Sequence, residues 1–499
     1  MTYRSSSYNL IWYGLASYVP GAMSVVGVSL YIRLLSPTEY GYFSLWLTTV
    51  LLVSTAFSTW LRQGILRFCS EYREVEAGAR FYTTVFFLTF ITCISIVCLA
   101  ILAYPVARLF ISGPILWLYA LGVLGVALSI VVNVYLSVWQ AEKQPKIYAC
   151  FRMLTSFLTV LVSLGFLFLR EDKEATALCL GFVSGYGVGG MLGGAQLWFR
   201  HRRKGKARPY VERRIAGRLF EYGMPFVGWF IGTYSLGFAD RYMLSLFSTI
   251  AAVGAYSALY ALISGISSFL ITPIIMTAHP EIVDAWLGDS SRTDAQRVLQ
   301  TYTRLFLMVA LPFISLLFAS GQIVGEFLLP PEYAPDRWTV LFLTIAIFMN
   351  GFSLLGQKGL ELAERTWHLL ILMAGSVFAN ILLNVFLIPR MAGRGAAVSA
   401  LLSYGMYMVL AVQKSKSYLP LTIHVKSLAR IVLAACGVFL VASLLGKLMD
   451  GLPAGTRLAA IGSGSTLVYL GLLTASQEVS LSLVQQRVAT LFFSLRKNG

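Results

Sequence analysis

The chain has 499 residues, of which 57% are hydrophobic and only 12% are Asp, Glu, Lys or Arg, and it carries a formal net charge of +17. Soluble domains hold about 25% charged residues, so this balance excludes a soluble globular protein and predicts an all-α polytopic membrane protein. In that setting a positive excess belongs to cytoplasmic loops and anionic headgroups, which makes anionic membrane lipids partners and argues against nucleic acid.

A spanning helix needs about 20 mostly apolar residues. The first half supplies six such stretches, over 8–32, 40–61, 81–103, 115–139, 147–169 and 175–199. The first is read as a retained helix, because no small-residue cleavage site follows it. Next comes 200–218, RHRRKGKARPYVERRIAGR, with nine Lys or Arg and one acid. A run this basic stays out of hydrocarbon, where each central Arg or Lys costs roughly 2.5 to 3.5 kcal/mol on insertion scales. The second half supplies eight stretches, over 222–247, 253–276, 303–328, 338–357, 367–388, 395–412, 427–448 and 457–475. Residues 479–496 space Val484, Val488, Leu491, Phe492 and Leu495 helically and predict an interfacial helix.

Fourteen crossings with the N-terminus inside put 29 of the 39 Lys and Arg on the inner face and 10 on the outer. That asymmetry is the positive-inside pattern, and it places both termini in the cytoplasm. The outer connections are too short to house a soluble catalytic domain.

The halves also resemble each other. EYGYFSLW at 39–46 matches AVGAYSALY at 252–260, with Gly41 over Gly254 at an offset of 213. Ala141-Glu142-Lys143 matches Ala363-Glu364-Arg365 at an offset of 222. The common order predicts a duplicated six-helix unit with a substrate site between the copies. The expected division is therefore a bundle over 1–199, a linker over 200–218, a second bundle over 219–413, and two further helices with the tail over 414–499.

Polar residues inside apolar helices mark candidate sites. Asp240-Arg241 lies in LGFADRYMLSLF, about two turns before the outer end of the seventh helix. Two readings stand: a self-neutralising interfacial pair, or Arg241 facing a cavity while Asp240 sets its charge or marks a coupling-ion site. Arg33 is the corresponding cation on the first helix, with snorkelling to headgroups as the alternative. Arg62 and Arg67, in TWLRQGILRF, and Lys358, in LLGQKGLELAER, are either inner-face anchors or guanidinium and ammonium groups for a phosphate-bearing headgroup. Asn133 and Asn350 are candidate partners for sugar hydroxyls, against a default of interhelical hydrogen bonding. Gly181, Gly185, Gly189 and Gly193 repeat every four residues and predict close helix packing.

No catalytic constellation emerges, so the chain is not expected to be an enzyme. Its four histidines are scattered, the phosphate-loop motif is absent, and Glu171, Asp172 and Glu174 read as a solvated loop. Six cysteines without a CxxC pair suggest neither disulfides nor a metal site. No cofactor is expected beyond a coupling ion, H⁺ or Na⁺.

At LLSPTEYGYFSLW, LRQGILRF, ADRYMLSLF followed by VGAYSALY, and LLPPEYAPD, the sequence resembles the bacterial oligosaccharide and polysaccharide flippases (Wzx-type). These belong to the MOP superfamily, which also holds MATE multidrug exporters and lipid II flippases. The resemblance implies two MATE-like bundles of six helices around a central cavity plus two C-terminal helices. It also implies a transporter in the bacterial inner membrane that moves undecaprenyl-diphosphate-linked oligosaccharide between leaflets by alternating access, working beside other polysaccharide-assembly proteins. A MATE-like drug or cation antiporter and a non-transporting scaffold of an envelope-polysaccharide synthase are the alternatives.

Overall fold

The computed structural model describes residues 2–72, 75–110, 115–169, 173–203, 210–288, 291–334 and 336–478, and most of these are helical, with no strand among them. The centre of the basic stretch, 204–209, and the tail over 479–496 lie outside the described residues. The helices of the first half are α1 (Thr2–Leu34), α2 (Pro37–Phe68), α3 (Val75–Phe110), α4 (Ile115–Ala141), α5 (Pro145–Leu169) and α6 (Ala175–Arg203). Those of the second are α7 (Arg213–Phe247), α8 (Ile250–Leu287), α9 (Ser291–Leu328), α10 (Arg337–Gly356), the short α11 (Lys358–Leu362), α12 (Thr366–Ser415), α13 (Val425–Leu448) and α14 (Ala454–Ala475).

Twelve of these segments are long and apolar enough to cross a bilayer. α7 is long enough but less apolar, because even its charge-free stretch, 222–239, mixes Gly, Tyr, Trp, Pro, Ser and Thr with its aliphatic residues. α12 has 50 residues, or roughly 75 Å at 1.5 Å per residue, more than twice a hydrocarbon core of about 30 Å. It is not one rod. Pro389 lies inside it, Ala392 takes a φ of 45°, and a Cβ on Gly395 would sit 2.5 Å from the Leu387 carbonyl oxygen. Eight residues of straight helix would hold these points about 12 Å apart, so the chain doubles back and α12 supplies two arms. Added to these twelve, α7 and the second arm of α12 bring the long helical arms to fourteen, the number expected from the sequence.

α3 exposes Phe87, Phe90, Ile94, Ile101 and Leu102, and α12 exposes Phe378, Leu382 and Phe386. Apolar faces this broad suit lipid rather than water.

Packing divides the chain into two compact units, Met1–Ile266 with Leu369–Ser399, and Ser267–His368 with Ala400–Gly499. The first unit thus holds α1 to α7, the start of α8 and the first arm of α12. Its core includes Leu61, Ile65, Phe81, Trp139, Phe151 and Leu219. The four-residue glycine series of α6 lies along α5. A Cβ on Gly181, Gly185 or Gly189 would come within 2.0 Å of Ser163 Oγ, 2.4 Å of Thr159 Oγ1 and 3.0 Å of Thr155 Oγ1, respectively. Glycines descending one helix therefore meet hydroxyl residues ascending the other, and only an absent side chain permits that approach. The second unit packs Ile274, Leu299, Phe306, Phe348 and Leu355 in one core, with a smaller cluster of Ile323, Ala442 and Ile461 where α9 meets α13 and α14.

Two backbone features bear on the internal repeat. A Cβ on Gly41 would fall 2.2 Å from the Ile250 carbonyl oxygen, and a Cβ on Gly254 would fall 1.8 Å from the Pro37 carbonyl oxygen. Pro37 and Ile250 are related by the same offset of 213 as the two glycines, so the contact between the N-terminal ends of α2 and α8 is reciprocal. Further along, Lys143 and Glu364 both take a φ of 57°. Each sits in the same helix-ending motif, with Gln144 N–H donating to the Trp139 carbonyl and Arg365 N–H to the Leu360 carbonyl, both at 2.9 Å. The backbone thus equates Lys143 with Glu364, one residue out of step with the sequence match at 222, because the αL turn and not the side chain defines the reversal. Packing units report contacts in one conformation, whereas a repeat concerns similarity along the chain. The division into bundles over 1–199 and 219–413 therefore stays a proposal.

Candidate functional site

Three helices of the first unit carry polar stripes through otherwise apolar sequence. On α2 the stripe is Ser44, Thr48, Thr55, Ser58 and Arg62, with Leu51 interrupting it; on α4 it is Ser129, Asn133, Ser137 and Gln140; on α5 it is Tyr148, Arg152, Ser156, Thr159 and Ser163. Spacings of three and four residues put each set on one helix face. Except for Thr48 and Ser58, the stripe residues line one cavity of about 520 Å³, to which α1 adds Ser24 and Tyr31, α6 adds Phe182 and Tyr186, and α7 adds Tyr234 and Arg241.

The cavity is cationic. Arg62, Arg152 and Arg241 line it, and among the described residues no Asp, Glu, Lys or His does so. Among the described residues none of the three forms an ion pair within 4.0 Å. Outside the cavity, Arg67 and Arg218 reach Glu71, Arg297 reaches Asp294, and Arg457 reaches Glu326 and Asp450.

Neutral groups position the three guanidiniums instead. Arg241, only 8% exposed, donates from Nη1 to Thr48 Oγ1 at 2.9 Å. Its guanidinium carbon lies 4.7 Å from the Phe238 ring centroid and 5.2 Å from that of Tyr260. Its Nε has no partner. Next to it, Tyr242 shares a 2.8 Å hydrogen bond with Thr49, so consecutive threonines of α2 seat consecutive residues of α7. Arg62 Nε points at Ser137 Oγ, 3.4 Å away, and Arg152 Nη1 donates to Tyr148 OH at 2.9 Å. A hydroxyl can orient a guanidinium without neutralising it, so the field of all three stays directed at whatever enters.

The charges are not evenly spread. Arg62 and Arg152 feel each other's charge and form one pole. Arg241, tied to Thr48, forms another. Thr48 and Arg62 are fourteen residues apart on α2, about 21 Å at 1.5 Å per residue. Between the poles lie Asn133, Thr155 and Thr159, with tyrosine rings from α1, α2 and α6.

Asp240 is placed behind this surface. It is 2% exposed and does not line the cavity. Tyr256 OH donates to its Oδ2 and Asn384 Nδ2 to its Oδ1, each at 2.8 Å, and Asn384 also donates to Asn380 Oδ1 at 3.0 Å. Both carboxylate oxygens are therefore engaged by Tyr256 and Asn384, and Asp240 feels the charge of Arg241 without forming an ion pair with it within 4.0 Å.

Of the other residues singled out from the sequence, Asn133 lines the cavity beside Arg62. Arg33 lies exposed near the end of α1. Arg67 is more than half exposed, pairs with Glu71 at 3.8 Å and stacks on Phe68, which is an anchor's geometry. Asn350 and Lys358 fall in the second unit. Asn350 accepts a hydrogen bond from the Ser353 hydroxyl on its carbonyl, and the buried Lys358 is engaged by Glu361 and by His279 Nδ1. Arg33 and Arg67 do not line the cavity of the first unit, and Asn350 and Lys358 belong to the second. Arg152 was not singled out, although its place in the α5 stripe YACFRMLTSFLTVLVS was a readable signal. Among the described residues no group of His, Cys, Asp and Glu could hold a metal ion.

With this geometry in hand, comparison places the chain. The sequence profile of the family described as "Polysaccharide biosynthesis protein" matches residues 7–286, more than half of the chain. The protein belongs to that family. It is similar to the probable low-salt glycan biosynthesis flippase Agl15 of Haloferax volcanii, 24% identical over 204 residues, 41% of this chain and 43% of that protein. It is also similar to an uncharacterized membrane protein, MJ1068, of Methanocaldococcus jannaschii, 21% identical over 208 residues, 42% of this chain and 41% of the other. The matched region spans about two fifths of the length of both relatives. The fold reaches further. The structure of the lipid II flippase MurJ in an inward closed conformation matches with a TM-score of 0.73 at 13% identity, covering 93% of this chain and 98% of that one. An inward-facing multidrug resistance MATE family transporter of the MOP superfamily matches with a TM-score of 0.64 at 11% identity, covering 81% and 97%. This family member therefore has a MurJ- and MATE-like fold.

Proposed function

We propose that the protein is a flippase that moves an undecaprenyl-diphosphate-linked oligosaccharide from the inner to the outer leaflet of the bacterial inner membrane, for export of a cell-surface polysaccharide. The observation that carries this reading is a cavity lined by three arginines and, among the described residues, by no acid and with none of the three in an ion pair. A diphosphate crossing hydrocarbon would lose its hydration at great cost. A hydrated cationic cavity replaces that solvent. The paired charge of Arg62 and Arg152 suits a diphosphate, whose oxygens match the planar guanidinium fork. Hydroxyls, Asn133 and tyrosine rings offer the mixed polar and aromatic wall that sugars need, while the prenyl tail stays in lipid. Alternating access would present the cavity to each side in turn. Asp240, with Asn380, Asn384 and Tyr256, is the place where a coupling ion, H⁺ or Na⁺, would act on Arg241.

The likeness to a MATE transporter supports a second reading, a drug or cation antiporter. The cavity's charge disfavours organic cations, which would meet three positive groups without a counter-charge. A scaffold would have no use for such a cavity.

The test is leaflet transfer of a fluorescent undecaprenyl-diphosphate glycan in proteoliposomes. Transfer well above that of empty liposomes is expected. Transfer no faster than in empty liposomes, with folded protein and several glycans tried, would overturn the reading.

A further inference from the structure

The two cationic poles ask more of the ligand than a diphosphate supplies. Arg62 and Arg152 share one pole, and Arg241 is tied to Thr48, fourteen residues or about 21 Å of helical rise from Arg62 on α2. A diphosphate is only a few ångströms across. It cannot touch both poles at once.

Arg241 is nonetheless an expensive residue to keep. It is 8% exposed, among the described residues no carboxylate lies within 4.0 Å of it, and its Nε lacks any partner. A guanidinium this far withdrawn from bulk water is costly to hold unless an anion comes to it. Two aromatic faces and one threonine hydroxyl soften that cost, yet they leave the charge whole. Asp240, its neighbour in the chain, feels its charge, but both carboxylate oxygens are held by Tyr256 and Asn384 behind the cavity wall, so it forms no ion pair with Arg241 within 4.0 Å and leaves the guanidinium open to the cavity. A brace between α2 and α7 would need only the Thr48 bond, which an uncharged donor could make. The retained charge points to an anion on the ligand itself.

We infer that the translocated glycan is acidic: a saccharide that carries a carboxylate, as a uronic acid does, several sugar residues from its diphosphate. Arg241 binds that carboxylate while Arg62 and Arg152 bind the diphosphate. This rests on the flippase reading but adds a separate requirement, a second negative charge at a set distance from the first. A monoanion matches the single guanidinium at one pole, and the diphosphate, with its greater charge, matches the two at the other. The intervening wall of Asn133, Thr155 and Thr159 faces the neutral hydroxyls between them.

Two measurements separate this inference from the reading beneath it. The first compares transfer, in proteoliposomes, of undecaprenyl-diphosphate tetrasaccharides that end in glucuronate or in glucose. The acidic glycan should move about tenfold faster, the scale of one charge-assisted bidentate pair. Arg241→Gln should bring the acidic-to-neutral ratio to about one, Arg241→Lys should keep much of the preference, and Arg62→Gln should slow both glycans while keeping it. The second measurement titrates the purified full chain, by tryptophan fluorescence, with the free tetrasaccharides lacking lipid and diphosphate. Selective, Arg241-dependent binding of the glucuronate form is expected. Equal transfer and equal binding of the two forms would overturn the acidic-glycan inference and leave the flippase reading standing. Selective binding without any transfer would do the reverse. A preference that survives Arg241→Gln would remove Arg241 from the proposal and overturn it as stated.

Discussion

The arginines of the cavity and those around Glu478 in the second unit are the same residue type in opposite circumstances. Arg304 Nε lies 2.7 Å from Glu478 Oε1, and Arg430 Nη1 lies 3.2 Å from Oε2, while the Ser427 hydroxyl binds the same carboxylate. The Glu478 side chain is 2% exposed, although its two partners are nearly half exposed. This acid follows the end of α14, where Gln477 takes a φ of 56° and Glu478 N–H donates to the Leu473 carbonyl at 3.0 Å. It ties that end to α9 and α13. Its job is complete within the chain. Arg62, Arg152 and Arg241 are oriented with equal care by serine, tyrosine, threonine and aromatic rings, and none of those groups carries a counter-charge. A paired arginine fastens structure, whereas an arginine held by neutral groups keeps its field for a ligand.

The sharpest way to break this contrast is to give a cavity arginine the acid it lacks. Thr48→Asp would pair Arg241 as Glu478 pairs Arg304, and we expect transfer of an acidic lipid-linked glycan to fall by about 100-fold, since an internal carboxylate acts at high effective concentration. Retained transfer would show that the charge of Arg241 is not used. Nearly as large is the effect expected of Arg62→Ala with Arg152→Ala, a loss of about 50-fold from two removed charge-assisted contacts, read in the same proteoliposome assay with folding checked by gel filtration. Arg241→Ala should cut transfer far more than Arg241→Lys, by about tenfold against about threefold, because lysine restores the charge but not the fork.

Smaller effects belong to the fastening cluster. Glu478→Gln should lower stability by about 1 to 2 kcal/mol, less than for a fully buried pair because both arginines are partly exposed, while transfer at permissive temperature is retained. Melting of the detergent-solubilised protein measures this directly. The smallest effect is its pH dependence. Burial alone would raise the Glu478 pKa, but the Ser427 and Arg430 hydrogen bonds and the charges of Arg304 and Arg430 outweigh it and hold it below the ordinary 4.5. A depressed carboxyl stabilises the fold at pH above its unfolded value and loses that contribution as pH falls through the folded one. The melting difference between wild type and Glu478→Gln should therefore be constant near neutrality and close as pH falls below the ordinary value of 4.5 and through the lowered folded one.

Much of this was legible in the chain. Hydrophobic length gave the fourteen crossings, including the α12 stretch where two expected helices, 367–388 and 395–412, meet at a break near Ala392. The four-residue glycine series announced the α5–α6 contact, because glycine spacing on one helix face is itself the geometry of approach. Arg62, Asn133 and Arg241 were identified as polar groups inside apolar helices. Arg152 becomes legible only when it is taken together with Tyr148, Ser156, Thr159 and Ser163, which share its face. Arg67 and Lys358 looked like Arg62 in the sequence. They differ only in what lies opposite them, Glu71 for one and Glu361 with His279 for the other.

The sequence by itself therefore determined the class of the protein, its number of crossings and the helices that bear charge. These follow from hydrophobic length and helical period, which are properties of consecutive residues. Only the tertiary structure decided which arginines are neutralised and which remain open. An ion pair depends on distances between helices far apart in the chain, and no local pattern encodes whether a carboxylate will arrive within 4.0 Å of a guanidinium.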